Sequence, residues 1–143
     1  MQGTVYKSTG SWYQVKAING ESYNCKLKGK IRLKGLKSTN PVAVGDKVNF
    51  EVTKDGDEAI GIITDFEDRK NYIIRKSVNL SKQTHIIAAN VDVIFIVVGL
   101  DGDFSVNRLE RYLLLASLSE IPAVIILNKS DIAKNLDAKV AEV

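Results

Sequence analysis

Asn128-Lys129-Ser130-Asp131 sets an amide, an ammonium, a hydroxyl and a carboxylate side by side. A carboxylate such as Asp131 can accept two parallel N–H donors in a fork, and hydrogen bonds to an ionised acceptor are the strong ones. Guanine presents such a pair on one edge, its ring N–H and its exocyclic amine. Adenine does not, and would leave the carboxylate unmatched. Asn128 can donate and accept at once. The stem of Lys129 is long and apolar enough to lie along the face of a base. Ser130 fills the variable position.

These residues need an element that holds them at an edge. Pro122-Ala123-Val124-Ile125-Ile126-Leu127 precedes them without a polar interruption. A short run rich in Val and Ile reads as a fully buried parallel strand. In open α/β sheets, ligands bind just beyond the carboxyl ends of such strands. The pattern resembles the guanine-specificity motif Asn-Lys-x-Asp of GTP-binding proteins, in which the Asn helps to tie the base loop to the phosphate loop. The same residues also suit a polar turn, with Asp131 as the N-cap of a helix beginning at Ile132.

A second constellation lies in the first half. Lys26, Lys28, Lys30, Arg32 and Lys34 alternate with Leu27, Gly29, Ile31 and Leu33, and Lys37 follows. Strand periodicity places the five cations on one face. Like charges in register repel, and a phosphate backbone offsets that repulsion with release of counterions. Trp12, Tyr13 and Tyr23 on nearby strands could offer stacking surface, although Trp12 equally suits a core. A solvated outer face, or an edge strand guarded by lysines, is the plainer alternative. We expect contact with RNA phosphates and shape rather than base sequence.

The cationic strand belongs to a set of short strands. Gly3–Ser8, Ser11–Ile18, Glu21–Lys28 with Lys30–Lys34, Lys47–Thr53 and Ala59–Asp65 are separated by turn signals, of which Asn19-Gly20 and Asp55-Gly56 suit tight hairpins. Five strands in under 70 residues fit an oligonucleotide/oligosaccharide-binding (OB) barrel, residues 1–68. Residues 69–85 read as a charged linker carrying an apolar plug, Tyr72-Ile73-Ile74. From residue 86 to 143 the period changes. Ala88-Ala89-Asn90-Val91-Asp92 leads into a buried strand, Val93–Val98. A helix over Ser105–Ser119 follows, with Leu109, Tyr112, Leu113, Ala116 and either Leu114 or Leu118 on its apolar face and Ser105 or Asn107 as its cap. The Pro122 strand completes a β-α-β unit, and another helix begins after Ile132.

Of 143 residues, 45% are apolar and 26% charged, as in ordinary globular proteins. The net charge of +3 divides unevenly. Residues 1–76 hold 14 basic and 9 acidic side chains, a balance of +5; residues 77–143 hold 6 and 8, a balance of −2. Two parts with different partners are expected. No apolar run is long enough to span a bilayer, and no signal pattern opens the chain, so we expect a cytoplasmic protein without membrane partners. One cysteine, Cys25, and one histidine, His85, exclude an internal disulfide and a closed Cys/His zinc site within these residues. Cys25 fits a small core position. Asp101 and Asp103 read as a solvated turn, so no metal ligands are expected.

A nucleotide hydrolase needs a phosphate loop, G-x-x-x-x-G-K-[ST], and none occurs in these residues; Asp-x-x-Gly is absent as well. A barrel-like segment stands where those motifs would precede Asn128. Either the tetrapeptide is accidental or the order of a GTPase domain is permuted.

Taken together, the basic barrel, Arg75-Lys76-Ser77, the Ala-Asn-Val-Asp entry to a buried strand and Asn-Lys-Ser-Asp resemble the ribosome small subunit-dependent GTPase A family, RsgA or YjeQ. The resemblance implies an OB barrel followed by the incomplete α/β start of a circularly permuted P-loop GTPase domain. It further implies a late maturation factor of the small ribosomal subunit, whose GTP hydrolysis that particle stimulates. GTP or GDP with Mg²⁺ would be the ligand, and zinc would belong to a C-terminal domain beyond these residues. Small-subunit rRNA would be the nucleic-acid partner, with no role for DNA. Asn128, Lys129 and Asp131 match the base-recognition motif position for position. No catalytic residue is assigned here, and we expect no hydrolysis by these residues alone. The alternative is a stand-alone OB-fold RNA-binding module without a nucleotide role. A β-α-β unit with too few layers to cover both sheet faces is also expected to expose apolar surface.

Overall fold

The computed structural model describes residues 1–29, 40–55, 58–76, 84–100, 105–133 and 135–141. Contacts divide the chain into two compact units, Met1–Asn90 and Val91–Val143.

Five strands of the first unit, β1 (Gln2–Thr9), β2 (Trp12–Ala17), β3 (Ser22–Leu27), β4 (Lys47–Asp55) and β5 (Glu58–Phe66), close into a barrel in the order β1-β2-β3-β5-β4. All pairs are antiparallel except β3 with β5. This is the OB-like barrel expected from the turn signals. Strand alternation sends Val5, Tyr13, Val15, Cys25, Val48, Phe50 and Ile63 into one core, where burial of each large apolar side chain is worth roughly 1.5–3 kcal/mol. Tyr23 packs its ring on Phe50, centroids 5.4 Å apart. At the β2–β3 turn, Gly20 takes φ +89. The Tyr23 hydroxyl and the Asn19 amide both donate to Glu21, holding its carboxyl below the usual carboxylate range.

The stretch expected to be a linker is not one throughout. β6 (Tyr72–Lys76) pairs antiparallel with β7 (Thr84–Ala89), so Ile86–Ala89, expected to open the second domain, closes the first unit instead. Side-chain hydrogen bonds fix this ribbon to the loop before β4. Asn40 donates to the Ile86 carbonyl at 2.8 Å and accepts from the Ile86 N–H at 3.0 Å. Asn90 donates to the Gly45 carbonyl and accepts from the Lys70 N–H. Gly45, at φ +90, lies so close to this ribbon that a Cβ would sit 1.9 Å from the Ala89 carbonyl oxygen; only glycine fits.

In the second unit, β8 (Ile94–Gly99) and β9 (Ala123–Asn128) pair in parallel, joined through α1 (Val106–Leu118). Ser105 occupies the N-cap position but makes no side-chain cap bond. α1 buries Leu109 and Ala116, and Ile96, Leu100 and Ile121 are buried too. The strands are not fully buried as their composition suggests. Phe95 is 58% and Val97 60% exposed, and Val124 and Ile126 beside them are exposed as well. One helix covers one face only, so the expected apolar exposure is present. Tyr112, read as inward, is exposed, as are Leu114 and Leu118. α2 (Leu136–Ala141) follows. No helix among the described residues is long and apolar enough to cross a membrane.

Candidate guanine half-site and nucleic-acid face

Asn128 is the last residue of β9 and lies opposite Gly99 in the parallel register. Its carbonyl accepts the Leu100 N–H at 3.0 Å, so the ladder runs to the edge at which the polar residues begin. Lys129 turns into the left-handed region, φ +62, and its N–H donates to the Asn128 side-chain oxygen at 2.9 Å. The Ile132 N–H then reaches the Lys129 carbonyl at 3.3 Å. The strand therefore ends in a sharp turn at the carboxyl edge of the sheet, with Asn128, Lys129, Ser130 and Asp131 all exposed. The capping alternative for Asp131 does not hold, because α2 begins only at Leu136. Among the described residues no group of His, Cys, Asp and Glu could hold a metal ion.

Of the cationic series, Lys26 lies on β3 and Lys28 directly after it, where its N–H donates to the Ile63 carbonyl. Lys28 is exposed and Lys26 half-buried. Lys30, Arg32, Lys34 and Lys37 lie outside the described residues, as do Asp101 and Asp103. Trp12 is 41% exposed, and the Lys26 ammonium sits 4.3 Å from its ring centroid. A cation over an indole face is favourable and leaves the ring edge open. Tyr13 is buried in the core, where burial pushes its phenol pKa up, so it offers no stacking surface. Tyr23 is half-buried against Phe50.

Sequence periodicity missed Tyr6. The β1–β2 register slips between Val5 and Lys7, leaving Tyr6 as the extra residue of a bulge, and its ring is 61% exposed. Bulges re-aim side chains, and nothing in the alternation of Val5-Tyr6-Lys7 marks one.

The profile described as RsgA GTPase matches residues 66–143, and that described as RsgA N-terminal domain matches residues 2–62. A small ribosomal subunit biogenesis GTPase RsgA of Christiangramia forsetii is 54% identical over 132 residues, which cover 92% of this chain and 42% of that protein. The protein of the same name in Flavobacterium johnsoniae is 52% identical, with 92% and 41% covered. That in Bacteroides fragilis is 50% identical, with 92% and 42% covered. The chain thus spans about two fifths of the length of these relatives. With more than half of its residues matched by one family profile and most of the rest by its companion, the chain belongs to the RsgA GTPase family.

Proposed function

We propose that this chain is the barrel and the guanine-recognition half-site of a GTPase that assists late maturation of the small ribosomal subunit in the cytoplasm. The barrel contacts rRNA through Lys26, Lys28, Lys30, Arg32, Lys34 and Lys37. Asp131 reads the guanine edge, Asn128 braces the base loop, and the Lys129 stem lies along the base. Ser130 adds a polar backbone position beside them. GTP, with Mg²⁺ in the complete protein, is the nucleotide. Phosphoryl transfer depends on a phosphate cradle and a metal clamp, and these 143 residues encode neither motif; hydrolysis by them alone is not expected. The supporting observation is the position of Asn128–Asp131 at the carboxyl edge of a parallel strand pair, in a chain whose relatives are named for small ribosomal subunit biogenesis.

Co-sedimentation with purified small subunits across a salt series tests the RNA-contact part. Counterion release makes binding fall steeply with salt, and Lys28→Glu/Lys30→Glu/Arg32→Glu should abolish it. Equal binding of wild type and variant would refute it.

A further inference from the structure

A groove of about 330 Å³ crosses the outside of β1 between the end of β2 and the start of β4. One wall is Lys16 and Ala17 of β2, whereas β3, which shares with β2 the outer face that serves oligonucleotides in OB folds, contributes nothing to its lining. Gly3 lies beneath it, packed so closely on β2 that a Cβ would come 2.6 Å from the Lys16 carbonyl oxygen. At one end stands Tyr6, presented by the β1 bulge. The Lys16 ammonium is 5.9 Å from the Tyr6 ring centroid. Lys47 lines the groove with Lys16, and both are exposed. Glu67 is the one acidic residue in the lining.

An exposed aromatic ring, two cations and one carboxylate around a cleft of ligand size fit a flat, hydrogen-bonding, singly anionic unit. We propose that this groove takes one unstacked nucleotide of a single RNA strand. The base stacks on Tyr6. Its phosphate lies at Lys16 and Lys47. Glu67 accepts from a base amino group and repels a second phosphate. A base stacked on an aromatic side chain contributes affinity with little regard to sequence. The groove would thus add a contact that the cationic strand cannot make, holding a looped-out base rather than a backbone. This rests on the RNA-binding reading of the barrel.

The test uses this chain and a mixed-sequence RNA nonamer. Tyr6→Trp in a Trp12→Phe background places the single indole in the groove. The expected result is saturable quenching by the nonamer, weak quenching by a mononucleotide, and loss of quenching with Lys47→Glu. Tyr6→Leu should weaken nonamer affinity by about five- to tenfold, the loss of one stacked base, with an unchanged melting curve. If the nonamer binds, depends on Lys28, and neither quenches Tyr6→Trp nor responds to Tyr6→Leu, the groove proposal is wrong and the cationic strand stands. Equal quenching by mononucleotide and nonamer refutes the strand as occupant. A glutamate-rich peptide that quenches as strongly as the nonamer refutes RNA as occupant. No binding of the nonamer by wild type overturns both readings.

Discussion

Arg69 grips Asp46 with both ends of its fork. Its Nε donates to Oδ1 at 2.7 Å and its Nη2 to Oδ2 at 2.6 Å, with Asp46 fully buried. The same Nη2 also donates to the Pro41 carbonyl, and Oδ2 accepts the Ala43 N–H. The pair therefore pins the segment entering β6 to the loop before β4. Removing one partner of a buried pair strands the other charge, at a cost of about 3–5 kcal/mol. Asp46→Ala should lose stability on that scale in urea unfolding. Asp46→Leu combined with Arg69→Met should recover part of the loss. Equal stability of wild type and Asp46→Ala would show that the pair contributes nothing.

This pair also shows where the sequence was legible and where it was not. The barrel was readable because each strand is bounded by local turn chemistry, such as Asn19-Gly20, and because alternation directly reports an inside and an outside. The β6–β7 ribbon was not. Its attachment rests on Asn40 with Ile86, 46 residues apart, and on Asn90 with Gly45, 45 residues apart, and a single sequence carries no sign of such pairings. The end of β9 at Asn128 was legible from the apolar run that stops at Asn-Lys-Ser-Asp. The incomplete cover of β8 and β9 followed from counting layers, whereas Tyr112 turned outward because helical spacing does not say how wide a stripe one two-stranded sheet can bury.

Cys25 sits opposite Tyr13 across the β2–β3 ladder, and burial pushes its thiol pKa up to about 11. Its sulfur is packed so closely on β5 that a Cβ on Gly61 would lie 2.3 Å away. The folded state therefore keeps this proton above pH 9, where the unfolded chain gives it up. With more protons bound in the folded state, stability falls as pH rises from about 9 to about 11. Tyr13, shifted the same way by burial, adds to the fall above pH 10. Native protein should resist iodoacetamide at pH 8.5 and react only on unfolding. Cys25→Ala should flatten part of the alkaline loss in denaturant titrations at stepped pH. Fast alkylation of the folded chain would overturn this.

Phe95 with Val124, and Val97 with Ile126, lie side by side across the ladder and all face solvent. A contiguous apolar patch of this kind binds hydrophobic dyes and promotes aggregation. The isolated chain should enhance anilinonaphthalene sulfonate fluorescence under native conditions. Phe95→Lys/Val97→Lys should cut that signal by about half or more, since it halves the exposed apolar members. The same variant should remain in solution at concentrations where wild type clouds. A native chain that leaves the dye dark would show the face to be covered.

Asp131 makes the sharpest claim on specificity, because one atom exchange reverses its chemistry. Its carboxylate can only accept, and guanine offers two donors to it. Xanthine carries a carbonyl where guanine carries the amine, so it presents one donor and one acceptor. Asp131→Asn supplies one acceptor and one donor in the same place. A site built to hydrogen-bond one edge of its ligand rejects the mismatched analogue strongly. On the proposed reading, in a chain extended to the length of its relatives, Asp131→Asn should weaken guanosine diphosphate binding by about a hundredfold or more and strengthen xanthosine diphosphate binding correspondingly. Adenosine diphosphate should bind neither form. Titration calorimetry with the three nucleotides measures this. Unchanged guanosine diphosphate affinity in the variant would remove Asp131 from the site, and the turn after β9 would then be only a turn.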